Sequence, residues 1–415
     1  MIGRIAILGG SSVYVPELIL SMISHNVNVK EIMLIGNREK KLRLVADFCQ
    51  RLLDKSGFPA KIAATCDPTE GLEGAKYVIN HVRVGGMAAR LRDEKLPVKF
   101  GMIGDEVLGA GGIANALRTL PTVFEHAEII ETVSPDAVLI NLTNPVGIVV
   151  EALTKYTGIK VLGACDMPRR YLRKIAKLLH AAPEEVWVDY IGLNHMGWIQ
   201  DVKLHGRSCM GPLLERLERH KEDGFDAELI EVFRMIPTRT TATYFHQQDV
   251  LKQQRNCVRF RAEVLQEAEA RILKLYQDKH LCEVPELARE RNADWYEETV
   301  APALEALEGA KEHDLVLCVR NDGAVRDLPE DCSVEVPARV SRRGMKVRKV
   351  GNCPRFLHGL FLAVKESDRL TIEAVRHQSY EFALQALAIN PFVLSLHAAK
   401  RFLDRVIREE HLQLH

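Results

Sequence analysis

Arg4-Ile5-Ala6-Ile7-Leu8-Gly9-Gly10-Ser11-Ser12, followed by Pro16-Glu17-Leu18-Ile19-Leu20, decides the fold. The apolar run has the length of a buried strand, the glycine pair permits a tight turn, and Pro16 suits the first turn of a helix. Similar strand patterns recur at Glu31 to Ile35, Tyr77 to Val84, Ala137 to Asn141 and Lys160 to Leu162, with helical patterns between them. This alternation predicts an α/β protein with a Rossmann-like, doubly wound parallel sheet. Functional groups then belong just past strand C-termini, where Asn141-Leu142-Thr143-Asn144-Pro145 and Cys165-Asp166 fall.

From about Trp187 the texture changes. A strand pair is predicted around Asp189 to Leu204, long charged helices from Pro212 to Ala310, strands at Asp314 to Val319 and Val334 to Ala338, and a helical tail from Asp368. The expected division is a Rossmann-like dinucleotide-binding domain over 1–190 and a mixed α+β substrate and oligomerisation domain over 191–415. No internal repeat or low-complexity linker separates them, so tight packing of the halves is expected.

With 415 residues, 47% of them apolar and 27% charged, the chain can bury two cores. Basic and acidic side chains balance at 56 each, which supplies no global field toward nucleic acid or an anionic membrane. The first residues carry no secretory pattern and no window approaches the roughly 20 apolar residues of a membrane span. Cytoplasmic residence is expected. Nine scattered cysteines without a CxxC pair point to reduced thiols.

The turn at Gly9, Gly10, Ser11 and Ser12 lets backbone N–H groups approach a pyrophosphate at a helix N-terminus, although the strict GxGxxG is absent and a plain strand-to-helix turn is the alternative. After the second strand, Leu34-Ile35-Gly36-Asn37-Arg38 lacks the carboxylate that usually meets the ribose of NAD. Arg38 suits a 2′-phosphate, so NADP stands beside NAD; a solvated surface arginine is the alternative. Cys165 and His195, each just past a predicted strand, are donors a borderline-soft divalent metal would choose. Taken singly, each is more often structural.

Taken together, the motifs resemble those of glycoside hydrolase family 4, the NAD- and manganese-dependent glycosidases. The resemblance runs through Gly9-Gly10-Ser11-Ser12 with Pro16-Glu17-Leu18, Arg83-Val84-Gly85-Gly86, Gly104-Asp105-Glu106, Gly111-Gly112 with Leu117-Arg118-Thr119, Asn141 to Gly147, Cys165-Asp166-Met167-Pro168, Gly192 to His195, and Val334 to Ala338. It covers nearly the whole chain. It implies a fold related to lactate and malate dehydrogenases, a homodimer or homotetramer, and a redox-assisted glycosidase. In that chemistry hydride leaves sugar C3, a base removes the C2 proton, a metal grips O2 and O3, and the C1 leaving group is eliminated before the hydride returns.

Residue by residue, the resemblance implies that Cys165 and His195 bind Mn²⁺ or another divalent metal. Asp166 matches a general acid of the family's 6-phospho-α-glucosidases, whose motif reads Cys-Asp-Met-Pro, whereas phospho-β-glucosidases commonly carry Asn there; a helix-capping Asp is the alternative. The implied base is a tyrosine from a segment that here reads Thr240 to His246, leaving Tyr244, or Thr243 if the base aligns one residue earlier. Arg90, Glu106, Asn144, Arg291 (in Arg291-Asn292-Ala293-Asp294) and Asn321 match elements that hold a phosphorylated sugar, arginine being suited to phosphate by its planar fork. Each arginine also reads as a solvated surface residue. The expected activity is cleavage of 6-phosphorylated disaccharides or glucosides, the α class favoured over the β. The competing readings are a metal-independent NAD(P)-dependent sugar or hydroxy-acid dehydrogenase and an inactive nucleotide-binding relative.

Overall fold

A computed structural model describes residues 1–289, 291, 293 and 295–415. Its strands are β1 (Ile2–Leu8), β2 (Val29–Ile35), β3 (Lys61–Thr65), β4 (Tyr77–Asn80), β5 (Val138–Asn141), β6 (Lys160–Gly163), β7 (Val186–Leu193), β8 (Met196–Leu204), β9 (Arg207–Ser208), β10 (Ile236–Pro237), β11 (His313–Arg320), β12 (Ser333–Ser341) and β13 (Gly344–Val347). They form one sheet in the order β10-β8-β7-β12-β11-β6-β5-β4-β1-β2-β3, with β13 on β12 and β9 on β8.

The segment β3-β2-β1-β4-β5-β6 is parallel and has the dinucleotide-fold order 3-2-1-4-5-6. Strand alternation explains how it is buried on both faces. Ile5 and Ile7 join Ile32 and Leu34 under the helices Val15–Ser24 and Glu39–Ser56, while Ala6 and Leu8 join Met33, Ile35, Val78 and Leu139 under Gly109–Val133 and Val146–Tyr156. The turn from which the fold was read therefore sits at the switch point, where β1 lies between β2 and β4.

Beyond β6 the sheet becomes antiparallel. Cys318 of β11 pairs with Gly163 of β6 and with Glu335 of β12, and Glu335 pairs with Gly192 of β7. One row thus crosses the sheet and carries the C-terminal ends of β6 and β7 to the same edge. β7 runs through residue 190, so the two sequence halves share a single sheet.

Three expectations are refined. The strand at Tyr77 stops at Asn80, because His81 to Val84 leave the sheet for the helix Gly86–Lys99. The edge strand β3 was not anticipated; its Lys61-Ile62-Ala63-Ala64-Thr65 lacks a strong apolar run. The stretch from Pro212 to Ala310 is several helices rather than a few long ones, interrupted by β10 and by a π-turn at Tyr296–Val300 that leads into the last helix, Ala301–Leu307. The helix Arg261–Tyr276 packs back on the first half, with Tyr276 stacked on Phe48 at 4.0 Å and bonded to the Val13 carbonyl at 2.7 Å. No helix among the described residues is long and apolar enough to cross a membrane.

Candidate active site

Cys165 follows β6 and His195 follows β7, so the shared row determines their proximity. Sγ of Cys165, a carboxylate oxygen of Asp166 and a ring nitrogen of His195 lie within 4.8 Å of one another. Cys165 Sγ donates to Asp166 Oδ1 at 3.8 Å, and Arg170 Nη2 donates to Asp166 Oδ2 at 2.6 Å. Asp166 occupies the N-cap position of the helix Met167–Leu178 but makes no side-chain capping bond. Its carboxylate is turned to the thiol, which removes the capping alternative.

Asn194-His195 is a two-residue turn between paired Leu193 and Met196, with His195 at φ +64°. A non-glycine residue held there costs on the order of 1 kcal/mol, and such strain gathers at functional positions. Nδ1 of His195 and Oδ1 of Asn194 are buried without a protein partner among the described residues. Burial, then the carboxylates of Glu335 and Asp166, push the Cys165 thiol up, opposed in part by the Met167 N–H and the Asn194 amide. A bound cation reverses that balance, since it favours the thiolate.

A second corner forms past β4 and β5. Glu106 accepts from Arg83, from Arg90 at 3.0 Å and from the Asn144 amide at 3.4 Å. Burial alone would raise this carboxyl, but Arg83 and Arg90 hold it at about 2. Arg90 also bonds Glu94 at 2.7 Å. The Asn144 carbonyl accepts from Asn115, and the Asn144-Pro145 peptide is cis. Arg291 lies over the Tyr14 ring at 4.2 Å and the Trp295 ring at 5.2 Å, close enough for its charge to act on Glu106. Asn292 and Asp294 of its motif lie outside the described residues.

On the far side of the second corner, past β1, lies the glycine turn. Gly9 (φ +85°) could not carry a Cβ, which would fall 2.4 Å from the His81 carbonyl, and a Cβ on Gly10 would meet Leu34 and Ile35 backbone at 2.8 Å. Ser11 and Ser12 complete the turn, Ser12 N donating to the Gly9 carbonyl at 3.0 Å. Arg38 is exposed where the helix Glu39–Ser56 begins. Tyr244 is the one tyrosine on the helix Arg239–Phe245, edge-on to Phe245 at 5.0 Å and Phe392 at 5.6 Å. Thr241 anchors that helix to the Gly197 carbonyl at 3.0 Å, two residues from His195, while Thr243 bonds back to Arg239.

The family 4 glycosyl hydrolase model matches residues 4–181, and the model of that family's C-terminal domain matches residues 190–393. The chain belongs to glycosyl hydrolase family 4. Among its relatives, the 6-phospho-β-glucosidase BglT of Thermotoga maritima is 31% identical, with 97% of each chain covered. A 6-phospho-α-glucosidase of Leptotrichia buccalis is 27% identical, over 97% of this chain and 96% of its own. The structure of the Thermotoga maritima 6-phospho-β-glucosidase with manganese, NAD⁺ and glucose-6-phosphate superposes with a TM-score of 0.91 at 30% identity, covering all of both chains. The fold alone extends to the malate dehydrogenase of Cryptosporidium parvum, at a TM-score of 0.54 and 16% identity, as the dehydrogenase-like expectation required.

Within this family 4 glycosyl hydrolase, one expected substrate contact is corrected. Asn321 is fully buried; its amide nitrogen donates to the carbonyls of Val325, Leu328 and Pro329, and its Oδ1 accepts from Val325 N. That amide staples its own loop and has nothing left for a sugar. Three residues of the corners were not singled out in the sequence. Arg83 and Asn194 stood inside quoted motifs. Glu335, 1% exposed, receives Tyr190 Oη at 2.6 Å and Asn194 Nδ2 at 3.1 Å. The available signal was a lone carboxylate in the otherwise apolar run Val334 to Ala338.

Proposed function

We propose that this glycoside hydrolase cleaves 6-phosphorylated disaccharides or glucosides, with the α anomer preferred, using NAD and a divalent cation such as Mn²⁺. The observation that carries the reading is the convergence of Cys165, Asp166 and His195 within 4.8 Å at strand ends adjoining an arginine-rich corner. A thiol, an imidazole and a carboxylate form a mixed donor set suited to a borderline divalent ion, and the unpartnered Nδ1 of His195 fits it. Gly9 and Gly10 let the turn after β1 pack against the ends of β4 and β2 at the switch point, a place suited to a pyrophosphate at a helix N-terminus, and the nearby Tyr14 hydroxyl is buried without a protein partner among the described residues.

Bound there, a nicotinamide supplies reversible hydride acceptance and the cation supplies Lewis acidity at the sugar's O2 and O3. The chain's own residues do the rest. Cys165 and His195 hold the cation, and Gly9, Gly10, Ser11 and Ser12 hold the dinucleotide, with Arg38 placed to accept a 2′-phosphate. Arg90, Arg291 and Asn144, set by Glu106, hold the sugar phosphate. Tyr244 removes the C2 proton, and Asp166 protonates the departing glycosidic oxygen. The α preference rests on Asp166; a β preference is the second reading, favoured by the greater overall identity to the β enzyme. Residues 1–190 form the cofactor half and 191–415 the substrate half of a cytoplasmic homodimer or homotetramer. Nine free cysteines support the reducing compartment.

Release of p-nitrophenol from the α- and β-glucoside 6-phosphates, with and without NAD and Mn²⁺, tests this. Release that needs both additives and is faster for the α anomer is expected. Release without either sinks the redox route, and a faster β anomer moves the preference.

A further inference from the structure

We propose that Glu335 is a positioning residue for the metal-binding pair, acting through Asn194 on the turn that presents His195 opposite Cys165. The inference rests on the metal-dependent reading above. Its basis is the row Gly163, Cys318, Glu335, Gly192, which places one carboxylate between the two strands whose ends carry Cys165 and His195.

Both oxygens of that carboxylate are committed. Oε2 accepts from Tyr190 Oη at 2.6 Å, and Oε1 accepts from Asn194 Nδ2 at 3.1 Å. The arrangement is built for this purpose by glycine. A Cβ on Gly197 would lie 1.6 Å from Tyr190 Oη, so only glycine at that position of β8 leaves room for the phenol where it meets Glu335. A Cβ on Gly192, directly opposite Glu335, would fall 2.6 Å from the Gly197 Cα. Anchoring the Asn194 amide on Glu335 fixes the first residue of the Asn194-His195 turn. The next residue is His195, held at positive φ by the same turn.

A carboxylate this deeply buried needs a compensating cation. Among the described residues no lysine or arginine pairs with Glu335, whose hydrogen-bond donors are the Tyr190 hydroxyl and the Asn194 amide. A divalent ion on Cys165 and His195 would bring positive charge close to it. Outer partners of this kind orient ligands and typically change metal affinity by about 10- to 100-fold when removed.

The test is Mn²⁺ titration of the full-length protein by calorimetry, with thermal melts in chelator as a fold control. Glu335→Gln is expected to weaken Mn²⁺ binding by about 10- to 100-fold, Glu335→Asp to restore part of the loss, and Tyr190→Phe, which leaves the Asn194 bond, to lose less. Folded Glu335→Gln and Glu335→Ala proteins that bind Mn²⁺ like the wild type overturn the inference, even if their melting temperatures fall. Should Glu335→Gln not fold, Asn194→Ala must show the same loss, and undiminished affinity there overturns it equally. Wild-type protein that takes up no Mn²⁺ overturns the metal reading and this inference with it, a result distinct from a binding wild type with undiminished variants.

Discussion

Around Cys165, two carboxyl groups, Asp166 and Glu335, meet one arginine, Arg170, among the described residues, while burial keeps the Cys165 thiol and the Tyr190 phenol neutral. Around Glu106 arginine is the richer partner: Arg83, Arg90 and Arg291 gather about Glu94, Asp105 and Glu106. The corners stand on neighbouring strands, since Asn144 follows β5 and Cys165 follows β6, paired at Asn141 and Gly163. Buried charge is costly unless compensated. Under the proposed function, a cation would add positive charge at the first corner and the sugar phosphate would meet the arginines of the second.

The most forceful way to break this contrast is to disable the cation-seeking corner. Cys165→Ser should abolish measurable Mn²⁺ binding and lower turnover by about 10³-fold, the scale of several kcal/mol of lost Lewis-acid stabilisation. Calorimetry and p-nitrophenyl glucoside assays on the same preparation check it; full activity in chelator would dissolve the corner's assignment.

Asp166 sharpens the contrast within that corner. As general acid, its replacement by Ala should cost about 10²-fold on a natural disaccharide phosphate and much less on a p-nitrophenyl substrate, whose leaving group needs no proton. Equal losses on the two substrates would return Asp166 to a purely electrostatic or ligand role.

At the anion-seeking corner, Arg291→Ala should raise KM for phosphorylated glucosides by about 10- to 100-fold, the worth of a charged hydrogen bond, and leave Mn²⁺ affinity unchanged. A variant that lost metal affinity and kept KM would show that the corners are not separate.

The smallest effect is on stability. Burial, then Arg291 and Arg83, push His81 down to about 3, so it stays neutral in the folded protein while the unfolded chain protonates below its ordinary value near 6.5. Its contribution is therefore an acid lability: stability is lost as pH falls from about 6.5 toward 3, because the unfolded state binds the proton that the cationic corner refuses. Melting temperatures of His81→Gln should decline less over that window than those of the wild type. Parallel curves would mean that the corner is not short of negative charge.

The parallel half of the sheet was readable because each strand carries its own apolar run and each turn its own glycine or proline, signals that lie within ten residues of one another. The meeting of Cys165 and His195 was readable because their motifs sit at strand ends. Asn321 misled because an asparagine before a glycine looks alike whether it faces a ligand or staples its own loop; only the three carbonyls around its amide distinguish the two. Glu335 was missed because a lone carboxylate in the apolar run Val334 to Ala338 does not say what it faces; its meaning lies in Tyr190 and Asn194, some 140 residues earlier.

By itself the sequence determined the doubly wound sheet, the glycine turn, and which residues stand at the cleft edge, since periodicity and turn chemistry act over short stretches of backbone. Only the tertiary structure decided the antiparallel register that lines Gly163, Cys318, Glu335 and Gly192 in one row and gathers the two corners with opposite charge. Register among distant strands depends on side-chain fit across the sheet, which no local pattern encodes.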